Sequence, residues 1–304
     1  MACLGRCLSL AVLLPAHGVE ALLPVGGGNN MYRRARPSGV TEQGPTPASD
    51  SKLCSVHTER DGDRNAPAQL CAPVLELITP DGCASLSTSD ISSLIRNIER
   101  AVEGGVSLVQ LRDYESGAKS KAEMAVRLYA ATKGRALLVV NGDPEAARAS
   151  GADGVHLPER MMDMVGRLVG PRDAGEWPRI VGCSVHSVAA AVKAARLGAD
   201  YIQVGTMFAT QSHPGKEPEG LQMLNDVRRQ LQAEDLSHVL VIGVGGIDAS
   251  NCGKVVTAGG DGVAAIRCLC FSSDAEGEAR SIVQDMRGSL AASCRAGSRV
   301  DGVR

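Results

Sequence analysis

The sequence predicts an α/β protein: a closed (β/α)8 TIM barrel preceded by a disordered N-terminal leader. Three observations predict it. From Val74 to Ile266, eight short runs rich in Val, Ile and Leu alternate with segments of helical periodicity, the pattern of parallel strands covered on both faces by helices. Similar turns recur at Gly104-Gly-Val-Ser, Gly151-Ala-Asp-Gly, Gly198-Ala-Asp-Tyr and Gly259-Gly-Asp-Gly, spaced by 47, 47 and 61 residues; each interval has room for two βα units. The last two apolar runs, Val241-Ile-Gly-Val-Gly-Gly-Ile-Asp248 and Asp261-Gly-Val-Ala-Ala-Ile-Arg267, end in paired glycines and in an arginine. A phosphate pocket after the seventh and eighth strands of such a barrel is commonly built this way.

The elements follow in order. Val74–Ile78 reads as a strand, 91–103 as an amphipathic helix and Val106–Arg112 as the second strand. Helix 121–133 leads to strand 136–140, and the short helix 144–149 to strand Gly154–Leu157. Helix 161–169 and strand 179–183 follow, then helix 188–197 and strand Tyr201–Gly205. Helix 221–231 precedes strand 239–242, helix 251–258 precedes strand 262–266, and helix 274–290 closes the series. The glycines at the recurring turns are explained as helix C-caps. The surplus of the last interval falls in loop 212–218 and around 233–237. An open, doubly wound sheet would instead need a nucleotide fingerprint, and no GxGxxG follows the first strand.

The chain of 304 residues is 44% hydrophobic and 2% aromatic, with a net charge of −2. That balance suits one large core and gives no basic footprint for nucleic acid or an anionic membrane. Ten cysteines lack any CxxC pair, so neither zinc-ligand spacing nor a disulfide scaffold is indicated, and reduced thiols are expected. Residues 1–72 read as a targeting leader and disordered linker, and residues 73–304 as the barrel domain. Cys7–Ala16 is apolar but too short to span a bilayer, and Met31–Gly39 carries Arg33, Arg34 and Arg36 without an acid. The expectation is import into a plastid or another organelle, with cleavage of the leader. No membrane contact is expected in the mature form, and homo-oligomerisation stays open.

Catalytic groups of such barrels come from the C-terminal strand ends. Those ends offer Gln110 and Arg112; Asn141 and Asp143; His156 and Glu159; Ser184, His186 and Ser187; Thr210, Ser212, His213 and Lys216; Gly245 and Gly246; and Arg267. Three of the six histidines share this rim. A lone histidine there is as readily a surface residue, but together they favour a site.

Val109-Gln-Leu-Arg112, Val140-Asn141, Gly151–Leu157, Gly182-Cys-Ser-Val-His-Ser187, Gly205–Thr210, Gly243-Val-Gly-Gly-Ile247 and Gly262–Arg267 fall in the order found in the thiamine-phosphate synthase/TenI family. The resemblance covers about residues 73 to 290. It implies a thiamine-biosynthesis enzyme acting on a small phosphorylated thiazole. The synthase of this family joins a pyrimidine pyrophosphate to a thiazole phosphate and releases pyrophosphate, with magnesium. Several of its positions differ here. Tyr114 stands for a lysine, Gly142 for the acid after the strand-3 Asn, Arg160 for a second metal-binding acid and His213 for another lysine. Asp143, Glu159 or Lys216 could compensate only through rerouted loops.

The resemblance is therefore placed nearest the TenI branch, a metal-free isomerase that tautomerises a carboxythiazole phosphate. Histidine suits such proton transfer near neutral pH. His186 matches the tautomerase histidine and His213 is the second candidate. Gly246, Ile266 and Arg267 are implied for the phosphate. Thr210 and Ser212 match thiazole-side positions, and Gln110, Arg112, Asn141 and Ser184 pyrimidine-side ones. No cofactor is expected on this reading; magnesium is expected if the protein is the synthase. The further alternative is an inactive, phosphate-binding regulatory barrel.

Overall fold

A computed structural model describes residues 70–132, 134–170, 176–211, 215 and 217–297, with side chains as far as 293. The leader as far as residue 69 lies outside the described residues, as do Ser212, His213 and Lys216. The eight apolar runs form strands β1 (Val74–Ile78), β2 (Leu108–Leu111), β3 (Leu137–Asn141), β4 (Gly154–Leu157), β5 (Ile180–Val185), β6 (Tyr201–Gly205), β7 (Leu240–Val244) and β8 (Gly262–Ala265). All pair in parallel with their sequence neighbours, and β8 closes on β1 with Leu75 beside Val263. The expected (β/α)8 barrel is what the chain forms.

Helices α1 (Thr88–Glu103), α2 (Ala118–Thr132), α3 (Pro144–Ser150), α4 (Met164–Leu168), α5 (Val188–Arg196), α6 (Gly220–Ala233), α7 (Cys252–Thr257), α8 (Arg267–Cys270) and α9 (Ala275–Gly297) follow the strands. Ser87 starts α1 by accepting the Asp90 N–H, and Ser187 starts α5 by accepting the Ala190 N–H, each satisfying an otherwise orphaned donor. Alternate strand residues divide into two cores. Leu75, Leu77, Val109 and Val181 face the helices, while Val74, Ile78, Leu108, Val139, Tyr201 and Ile242 fill the barrel. Tyr201 has no exposed surface and its ring lies against Gly182, where a Cβ would sit 2.1 Å from the ring. Only glycine fits beneath that ring.

The recurring turns do more than cap helices. In three of them the aspartate accepts a backbone N–H of the preceding strand: Asp153 from Leu138, Asp200 from Val181 and Asp261 from Val241, at 2.9, 2.6 and 2.8 Å. Each clamp ties an even strand to its odd neighbour at the end opposite the site. Two differences from the sequence expectation are local. The single helix expected over 161–169 is a 3-10 turn, Glu159–Met161, followed by α4, whose one fully enclosed side chain is Val165. With so little surface to bury, a longer helix has no support. The four-residue α8 is too short to carry a readable period in the sequence; burial of Leu269 and Cys270 holds it.

Candidate active site

A cavity of about 460 Å³ opens at the C-terminal rim. Of the strand-end residues singled out in the sequence, Gln110, Arg112, Asn141, Ser184, His186, Thr210, Gly246, Ile266 and Arg267 line it, whereas Asp143, His156 and Ser187 do not. Tyr114, Glu159, Arg160, Gln203 and Thr206 line it as well. Of these, Gln203 and Thr206 gave no signal in the sequence, because a polar residue inside an apolar run has no period of its own.

One end is the turn after β7. Gly245 and Gly246 have φ of 106° and 64°, and a Cβ would lie 2.4 Å from Thr206 Cγ2 at the first and 2.5 Å from the Ala209 carbonyl oxygen at the second. The turn is strapped to the next loop by Phe208 N–H donating to the Gly245 carbonyl at 3.0 Å. Asn251 Nδ2 donates to the Gly246 carbonyl at 2.9 Å. Across from it, Arg267 opens α8 with its guanidinium 5.9 Å from the Phe271 ring. Bare backbone beside a fixed cation is suited to a phosphate monoester.

The opposite end is also cationic. Arg112 and Arg160 lie 6.0 and 5.9 Å from the Tyr114 ring centre, so two guanidinium groups share one aromatic platform. The Tyr114 hydroxyl accepts Asn141 Nδ2 at 2.8 Å. Two buried polar atoms facing this end, Arg112 Nε and Asn141 Oδ1, have no hydrogen-bond partner in the protein. Orphans of this kind are costly unless a ligand or water meets them. Asp143 does not compensate for the replaced acids: it caps α3 by accepting the Ala146 N–H and pairs with Lys121 at 3.7 Å. The loops are not rerouted to bring it in. Glu159 does line the cavity and accepts the His186 N–H at 2.7 Å.

Magnesium is usually held by one or two carboxylates together with substrate phosphates. The cavity lining offers one carboxylate, Glu159, together with Arg112, Arg160 and Arg267, and among the described residues no group of three His, Cys, Asp or Glu side chains converges. These residues do not fit a resident dication.

His186 stands on the rim between the two ends. Its Nδ1 bonds the Gly205 carbonyl oxygen at 2.8 Å, with Glu219 Oε1 3.6 Å away. A carbonyl only accepts, so Nδ1 carries the proton and Nε2 is the edge open to proton exchange. The next residue, Ser187, caps α5. Glu219 also accepts the Thr206 N–H, joining the loops after β5 and β6. His156 lies beneath, with no exposed surface. Its ring bonds the Tyr201 hydroxyl at 3.0 Å and Ser184 Oγ at 2.8 Å, and burial lowers its pKa to about 3. It is a neutral strut that orients Ser184, not a proton donor.

The fold and site define a (β/α)8 barrel whose C-terminal rim cavity is lined by a paired-glycine turn and by Arg112, Arg160 and Arg267. The family model described as thiamine monophosphate synthase (TMP-TENI) matches residues 78–269, and the chain belongs to that thiamine-biosynthesis family. It is 38% identical over 194 residues to a thiamine-phosphate synthase of Roseiflexus castenholzii, covering 62% of this chain and 80% of that one. It is 35% identical over 192 residues to a Gloeobacter violaceus protein of the same name, covering 62% of this chain and 53%, about half, of the relative. The solved thiamine phosphate pyrophosphorylase of Pyrococcus furiosus superposes with a TM-score of 0.55 at 24% identity, over 71% of this chain and 96% of that one. That likeness speaks to the fold.

Proposed function

We propose that this protein is a thiamine-phosphate synthase, a transferase that joins hydroxymethylpyrimidine pyrophosphate to a thiazole phosphate. A C–N bond forms to the pyrimidine's methylene carbon as its C–O bond to pyrophosphate breaks, and pyrophosphate leaves with the bonding pair. The observation that carries the reading is the two-ended cavity. Gly245, Gly246 and Arg267 suit the phosphate of one partner, and Arg112 with Arg160 suits the charge that grows on the leaving group. The synthase names of the curated relatives support it over the tautomerase expected from the replaced positions. Arg160 removes a metal-binding acid but supplies a cation to the same end, so the loss of positive charge inferred from the sequence is partly made good. The test is to incubate the purified chain with both substrates and follow thiamine phosphate and pyrophosphate together. Equal amounts of the two support the reading; turnover of a carboxythiazole phosphate alone replaces it.

One observation favours that second reading, tautomerisation. His186 is oriented through Nδ1 by Gly205, which leaves a basic Nε2 on the rim, as proton relay requires. For the leader we propose organelle import, supported by the acid-free, arginine-bearing stretch Met31–Gly39. A fluorescent protein carrying residues 1–72 tests it; diffuse cytosolic signal would argue against it.

A further inference from the structure

Below the cavity floor lies a polar column inside an otherwise apolar barrel. Glu76 of β1 has no exposed surface, and neither carboxyl oxygen has a hydrogen-bond partner in the protein. Gln203 of β6 lies beside it, close enough to favour its charged form slightly, without hydrogen-bond geometry. Gln203 Nε2 donates to Gln110 Oε1 at 2.7 Å. Both glutamines line the cavity and both are more than nine-tenths buried. A carboxamide whose oxygen is already bonded from below has its N–H₂ group left to meet a ligand.

We propose that Glu76 is a positioning residue: the Glu76–Gln203–Gln110 column fixes which edge of Gln110 faces the cavity, so that Gln110 donates an N–H to an acceptor nitrogen of the bound pyrimidine. This rests on the synthase reading, in which Gln110 is already on the pyrimidine side, and adds to it the buried group that sets how Gln110 is turned. A protonated Glu76 offers its O–H to the Gln203 carbonyl and leaves the Gln203 N–H₂ for Gln110. An ionised Glu76 is an acceptor only, draws that N–H₂ to itself, and frees Gln110 to turn its oxygen toward the ligand. Burial raises the Glu76 pKa from 4.5 to about 8. The column is thus set for ring recognition at neutral pH and loses its setting in alkali. The titratable group acting on Glu76 inside the barrel is Tyr201 of β6, whose own pKa burial and Glu76 push well up; the Tyr201 hydroxyl is in turn bonded to His156 of β4, neutral under burial. Leu108 of β2 and Ala264 of β8 flank Glu76 without charge, and the charged Arg112 stands at the rim end of β2.

The test is calorimetric binding of hydroxymethylpyrimidine phosphate to the full chain from pH 6 to 9.5, with thiazole phosphate binding as the reference at the other end. Wild type is expected to lose about tenfold in pyrimidine affinity through pH 8, while Glu76→Gln keeps its neutral-pH affinity throughout. Gln203→Met is expected to bind about tenfold more weakly at every pH, and thiazole phosphate is expected to bind all three alike. The same alkaline loss in Glu76→Gln, or a flat wild-type profile, would overturn the proposal while leaving the synthase reading in place. Should wild type bind thiazole phosphate but no pyrimidine at pH 6.5, the synthase reading falls and this proposal with it.

Discussion

Replacing Gly246 by alanine puts the phosphate end of the cavity under a calculable load. The residue sits at φ 64°, and its new Cβ would meet the Ala209 carbonyl oxygen at 2.5 Å and Phe208 Cβ at 3.0 Å. The left-handed conformation costs alanine about 1 kcal/mol. A backbone oxygen cannot rotate aside, so the collision adds about 1–3 kcal/mol of strain. Gly151→Ala is the control: its φ is 74°, but nothing lies within 4 Å of a Cβ there, so it carries the conformational cost alone. At roughly 2–4 °C per kcal/mol for a domain of this size, Gly246→Ala should melt several degrees below Gly151→Ala. Displacing the turn removes one or two charge-assisted hydrogen bonds to a phosphate, each about 1.5–3 kcal/mol, so thiazole phosphate affinity should fall at least tenfold. Differential scanning calorimetry and isothermal titration read the two effects. If Gly246→Ala melts with Gly151→Ala and binds thiazole phosphate like wild type, the assignment of this turn is wrong.

Other consequences follow from the opposite end and the buried groups. Arg160→Ala should weaken inorganic pyrophosphate binding about tenfold, the scale of one partly exposed charge-assisted contact, and Arg160→Asp should make that binding depend on added magnesium; titrations with and without a chelator decide. His186→Ala should leave the fold intact, seen by circular dichroism, and reduce synthase turnover less than tenfold; loss of a carboxythiazole isomerase activity instead would favour the tautomerase. Stability should fall as pH rises from about 4.5 to about 8, because folded Glu76 keeps a proton that the unfolded chain has released. Held neutral by burial, His156 acts in the opposite sense, its contribution being lost as pH falls from 6.5 toward about 3. Urea unfolding at pH 6.5 and 8 should therefore show a decline in wild type that Glu76→Gln lacks; equal slopes would refute it.

The sequence carried the barrel well because each strand is an apolar run bounded by a turn, and parallel pairing of neighbours needs no further information. The rim residues were legible for a related reason: a polar side chain at the end of an apolar run stands out, and Gln110, Arg112, Asn141, Ser184 and Arg267 all converge. What stayed hidden was pairing across the barrel. Nothing local says that Glu76 and Gln203, on opposite strands, lie side by side, or that Tyr201 fills the space left by Gly182. The aspartates of the recurring turns were visible, but only pairing shows that each holds the N–H of a neighbouring strand. Asp143 misled because its place beside Asn141 suggests a ligand, whereas Pro144 behind it makes it the cap of α3.

The claim that most needs testing is that one cavity holds two anions at once. Calorimetric titration of the full chain with thiazole phosphate, alone and then saturated with inorganic pyrophosphate, tests it directly. The account predicts one site for each, filled together, with Gly246→Ala weakening only the thiazole phosphate and Arg160→Ala only the pyrophosphate. Mutual exclusion of the two ligands, or equal weakening of both by either substitution, would contradict it.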